Sequence, residues 1–123
     1  MTMHAATGVL VVTTPYVAGY RITEMKGEVF GLVVRSRGLG GNILAGLRSL
    51  GGGEIHEYTE LLEQSRLQAI DRLLENARAM GANAVISMRF DSSSLADYMS
   101  EIVAYGTAVV IVADPNAGRP IIE

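Results

Sequence analysis

Residues 51–83 read GGGEIHEYTELLEQSRLQAIDRLLENARAMGAN, and their periodicity decides the architecture. No proline interrupts Glu54 to Met80. At about 100° per residue, Ile55, Tyr58, Leu62, Ala69, Leu73, Ala77 and Met80 fall on one face, the stripe that a long helix buries. The following "GAN" supplies the stop, because Gly81 can take the left-handed conformation of a helix C-cap. Leu67 and Leu74, flanked by Ile70, form a second apolar line beside the first. Two lines on one helix predict two partners, its own sheet and a neighbouring subunit. Arg66 falls inside the core stripe, between Leu62 and Leu73, where an unpaired charge is costly. Either its stem packs while its head reaches the edge, or it pairs with Glu28, Asp91 or Glu101 as a structural ion pair or part of a ligand pocket.

Working outward, Val9 to Thr14 reads as a short β-branched strand stopped by Pro15. A long extended stretch runs from Arg21 to Arg37, with Gly27 and Gly31 inside it. Glycine within a strand pattern predicts a bulge or a close backbone approach. "GLGGNILAGLRSLGGG" at 38–53 is a glycine loop with room for a short helix begun by Asn42 as N-cap. After the long helix, Ala84 to Asp91 and Glu101 to Val112 read as strands joined by "SSSLAD". Ile102 to Val112 is apolar on both faces, the mark of a strand covered on both sides. The expected fold is therefore α+β, ordered β-β-α-β-β, with a four-stranded sheet on one helix. One helix covers only one face of such a sheet, so self-association is expected.

At 123 residues the chain reads as one domain, 1–123, with a core of about 9–112 and a tail or edge strand at 113–123. Hydrophobic residues are 49% and charged residues 19%, an apolar balance for a small domain and a further reason to expect burial between subunits. A net charge of −3 leaves no basic footprint for nucleic acid. The absence of cysteine excludes disulfides, thiolate metal sites and cysteine nucleophiles. "MTMHAATGVLVVTTP" lacks the basic start and long apolar run of a signal peptide, and no stretch reaches the roughly 18–20 apolar residues of a membrane span. A cytoplasmic protein without membrane or nucleic-acid partners is the expectation.

His56, Glu60 and Glu63 stand at i, i+4 and i+7 on the helix, a conceivable ligand set for zinc or another divalent metal. H-E-x-x-H is missing, however, and Glu54 and Glu57 already have an electrostatic role at the positive end of the helix dipole. A solvated acidic face is the favoured reading. Arg35 and Arg37 precede the glycine loop, an arrangement able to hold an anion, but no P-loop pattern is present and a structural loop is favoured. "MRFDSSS" offers Arg89, Asp91 and serines without a base in reach, so an Asx- or ST-type turn is preferred to a nucleophile. No catalytic residue is assigned; a hydrolase using an interface carboxylate is the least favoured reading.

Together, "GEVFGLVVRSR", "GGGEIHEYTELLEQSR", "GANAVISMRFDSSS" and "EIVAYGTAVVI" closely resemble the YbjQ family, in the family's order and across residues 9 to 112. The resemblance implies a small α+β subunit like that of dodecin, with its helix against an antiparallel sheet, assembled into a homopentameric ring, and a label of heavy-metal binding that here finds only His56 in a matching block. It retains Arg35, Arg37, Glu54, Tyr58, Glu60, Arg66, Arg89 and Asp91 as pocket or interface candidates. The function expected is binding of a small ligand or a divalent metal at subunit interfaces, with a purely structural or partner-binding ring as the alternative.

Overall fold

The computed structural model describes residues 2–4, 7–36, 56–96 and 99–117. The proposed Asn42 helix, the loop at 38–53, Arg37, Glu54 and the last six residues lie outside them. Five strands and one helix are present among the described residues: β1 (Thr2–His4), β2 (Val9–Val11), β3 (Tyr20–Ser36), α1 (His56–Ala79), β4 (Ala84–Ala96) and β5 (Met99–Ala113). The α+β class holds, but two expectations need correction. The sheet has five strands in the order β1-β2-β4-β5-β3, and it is mixed, because β2 and β4 run parallel. β3 and β4 both run antiparallel to β5, so they share one direction and α1 carries the chain back between them; β2 runs the same way and joins the other side of β4. Also, "SSS" is strand, not connection: β4 continues to Ala96, with Ser92 opposite Ile102 and Ser94 opposite Ser100.

α1 ends as its sequence prescribes. Gly81 has φ +84°, its N–H donates to Arg78 O at 2.9 Å, and the Ala82 N–H donates to Ala77 O at 3.0 Å. This pair of bonds is the Schellman motif, and it satisfies carbonyls the helix leaves free. On the core side Ala69, Leu73, Leu74 and Ala77 are fully buried against Val29, Val33, Ile102, Ala104 and Ala108 of the sheet. Ser65 is buried with them, its hydroxyl spent on Leu61 O at 2.9 Å. The second apolar line splits: Leu74 joins this core, while Leu67 stays 55% exposed.

On the opposite face Leu10, Ala84, Ile86, Val109 and Ile111 pack beneath Val17 and Tyr20. The two-sided apolar pattern of β5 is thus explained at one end by the chain itself, through the segment between β2 and β3. Farther along that face nothing in the described chain covers Phe30, Leu32 and Val34, which are 52%, 43% and 47% exposed. The outer edge of β3 is handled differently. Arg72 donates to Leu32 O, and Asn76 donates to Phe30 O at 2.7 Å. These helix side chains occupy carbonyls that an open edge would offer to another strand.

The start of β4 is held by one side chain. Asn83 Oδ1 accepts the Ile111 N–H at 2.7 Å, and its Nδ2 donates to Ile111 O at 3.0 Å. Asn83→Ala should cost about 1–3 kcal/mol, as expected when partly buried backbone groups lose their partners. A lower urea midpoint and faster hydrogen exchange at the Ile111 amide would register it; unchanged exchange would mean that the junction is held by other contacts.

Candidate functional site

β2 and its extension pair with β4 only as far as Met88: Val12 N–H donates to Val85 O, Ser87 N–H to Thr14 O, and Met88 N–H to Val12 O. Ser87 at φ 54° and the register shift between Ile86 and Arg89 mark a bulge there. Gly106 lies against it, where a Cβ would stand 2.8 Å from Ile86 O and from Val85 Cγ1. From Phe90 onward no described strand lies beside β4 on that side. Thr59, Leu62, Glu63 and Arg66 of α1 border the space over this stretch.

The result is a cleft of about 570 Å³, within the usual size range of small-molecule sites. α1 contributes Thr59, Leu62, Glu63 and Arg66; β4 contributes Phe90, Asp91 and Ser92 to Ser94; β5 contributes Ser100 and Ile102. Its position explains two residues that the helical periodicity assigns to the core. Leu62 points toward the sheet yet remains 42% exposed, because the cleft is beneath it. Arg66 also points that way and lies over the Phe90 ring, 5.1 Å from guanidinium carbon to centroid. That geometry is a cation–π contact. No ion pair joins Arg66 to Glu28, Asp91 or Glu101 among the described residues, so the expectation of a packed stem with an exposed head describes it better.

Asp91 projects from the outer face of β4, opposite Val103. Its Oδ1 accepts the Ser92 N–H at 2.9 Å, and the residue is part of the cleft lining. Ser93 donates to Glu101 Oε2 at 3.4 Å on the neighbouring strand. The cleft is therefore hydroxyl-rich, with one guanidinium, two carboxylates and an apolar lining of Leu62, Phe90 and Ile102.

The other candidates are dispersed. Arg35 is at the far side of the sheet, donating to Gln68 Oε1 at 2.9 Å, with its Nε buried and without a hydrogen-bond partner among the described residues. Arg89 is structural: its guanidinium donates to Thr13 O and Met88 O, both at 2.9 Å, and ties the β2 extension to the bulge. Of His56 and Tyr58 only the backbone, in the first turn of α1, is described. Glu60 and Glu63 are exposed on successive turns. Among the described residues no three His, Cys, Asp or Glu side chains converge as a metal site would require, and a chain without cysteine offers no thiolate ligand. The His56 side chain lies outside those described, so of the His56, Glu60, Glu63 set only the two exposed carboxylates are placed. The sequence reading missed Thr59, Phe90, Ser100 and the serines of β4. The only available signal was the alternation in "RFDSSS", obscured by the weak strand preference of serine.

No helix among the described residues is long and apolar enough to cross a membrane. Residues 9–112 match the model of the YbjQ family, described as "Putative heavy-metal-binding". A UPF0145 protein of Methanoregula boonei is 59% identical over 113 residues, covering 92% of this chain and 94% of that one. A UPF0145 protein of Bradyrhizobium sp. is 63% identical over 102 residues, covering 83% and 92%. Among solved structures, a protein with unknown function of the DUF74 family from Pediococcus pentosaceus matches with a TM-score of 0.57 at 16% identity, over 85% of this chain and 99% of that one. At such identity the likeness concerns fold alone. With a family model matched over residues 9–112 and relatives of this identity across most of its length, the chain belongs to the YbjQ family.

Proposed function

We propose that the protein is a cytoplasmic, ligand-binding subunit of a homopentameric, dodecin-like ring, with the cleft under α1 as its ligand site. The cleft carries the ligand reading: it brings Arg66 and Asp91, which are far apart in sequence, to one hydroxyl-lined concavity of ligand size. The outer face of the sheet supports self-association. Phe30 pairs with Tyr105 and Leu32 with Val103 across β3 and β5. These residues, with Val34, make a contiguous apolar surface larger than scattered exposed side chains would give. A second copy is the partner always present at matching concentration, and closed rings are a common solution for such surfaces.

Native mass spectrometry should find a species of five times the 13.1 kDa chain. Leu32→Lys should convert it to monomer without loss of far-UV circular dichroism, since this side chain is not in the core. A wild-type monomer at micromolar concentration would overturn the ring. The ligand reading is tested separately, by amide chemical shifts of the intact protein during a small-molecule screen. Shifts confined to residues 62–66 and 90–94 are expected; a screen that leaves them all unmoved would favour a ring without a ligand.

A further inference from the structure

Resting on the reading of the cleft as a ligand site, we propose that its ligand is a small zwitterion with an apolar side chain, of the α-amino-acid type. The argument starts from charge. Arg66 stands at one position of the cleft, Glu63 one helical turn before it, and Asp91 on the strand edge across from the helix. A guanidinium fork matches a carboxylate, because two parallel N–H donors meet two oxygens. Its stacking on Phe90 restrains the plane of that fork before any ligand arrives, which lowers the entropy lost on binding. Asp91 is restrained too, by the Ser92 N–H. A carboxylate so placed attracts an ammonium and accepts its hydrogen bonds.

Three rival chemistries fit the same residues less well. A phosphate or other polyanion would gain Arg66 but face both Glu63 and Asp91, two like charges against one opposite charge. A divalent cation would gain those carboxylates but lie beside the Arg66 guanidinium, and no third acidic or histidine side chain joins them among the described residues. A neutral sugar characteristically stacks on an open aromatic face, and the Phe90 ring has a guanidinium over it. A zwitterion uses both signs of charge at once. Leu62 and Ile102 then provide the surface on which its apolar side chain is buried, and the Ser92 and Ser100 hydroxyls serve whichever oxygen or nitrogen remains.

The test is a titration of isotopically labelled, intact protein with three molecules sharing one skeleton: L-leucine, 4-methylpentanoate and 3-methylbutylamine. Leucine is expected to move the amides of residues 62–66 and 90–94, and to bind at least tenfold more tightly than either half-molecule. Arg66→Met should bring leucine down to the affinity of the amine, and Asp91→Asn down to that of the carboxylate. Both side chains are exposed, so unchanged circular dichroism is the accompanying control. If the carboxylate or the amine alone binds there as well as leucine does, the zwitterion assignment is overturned while the cleft remains a ligand site. If these three compounds leave the amides unmoved but inorganic phosphate or glucose moves them, the assignment is again overturned and the cleft stands. Silence from all five probes overturns the assignment and counts against the cleft as well.

Discussion

Gly31→Ala is expected to lose about 3 kcal/mol or more of stability, and Gly31→Val to prevent folding. Gly31 lies on the inner face of β3, between Val29 and Val33, directly beneath α1. A Cβ there would collide with Ala69 O and Leu73 N and would stand 2.9 Å from Leu73 Cα. All three are backbone atoms of the helix, so no rotamer change relieves the clash. The helix itself would have to lift from the sheet. Overpacking in cores commonly costs about 1–3 kcal/mol where side chains can adjust; here they cannot, which places the expected loss at or above that range. For a domain whose whole stability is on the order of 5–15 kcal/mol, this is a large fraction. Urea denaturation of the alanine variant gives the answer. An unchanged midpoint would mean that α1 packs farther from β3 than the structure has it.

The second large effect is expected at Leu73. Its side chain is fully buried at the centre of the helix–sheet core. Leu73→Ala removes buried methyl groups and leaves a cavity, for an expected loss of about 2–5 kcal/mol. The contrast with Leu62, eleven positions earlier on the same face, makes the prediction specific. Leu62 is 42% exposed over the cleft, so Leu62→Ala should cost well under half as much. Equal losses at both positions, read from the same denaturation curves, would show that the cleft is closed in solution and that Leu62 belongs to the core.

These two leucines also show what could be read directly from the sequence. The helix, its glycine stop at Gly81 and the buried positions Ala69, Leu73 and Ala77 were legible because they depend on neighbours three to five residues apart. The close approach at Gly31 was legible too, since a glycine inside a strand pattern has few other reasons to be there. The strand status of Ser92 to Ser94 was not. Serine has little intrinsic preference for strands, and these residues extend β4 because β5 pairs with them across the sheet.

The candidate site divides along the same line. Arg66 was conspicuous in the sequence as a charge inside an apolar stripe, and Asp91 as a charge at a strand end. That they share a cleft, while Arg35 bonds Gln68 and Arg89 closes a bulge, depends on where β4 goes after Met88. By itself, then, the sequence determined the long helix and its glycine stop, the buried positions Ala69, Leu73 and Ala77, the α+β class and the family. Only the tertiary structure decided that β2 pairs parallel to β4, that Val17 and Tyr20 cover one end of the outer face, and that α1 spans a cleft instead of a continuous core. The physical reason is range: helix periodicity and capping are set by local contacts, whereas strand partners and concavities come from contacts between segments that the sequence keeps far apart.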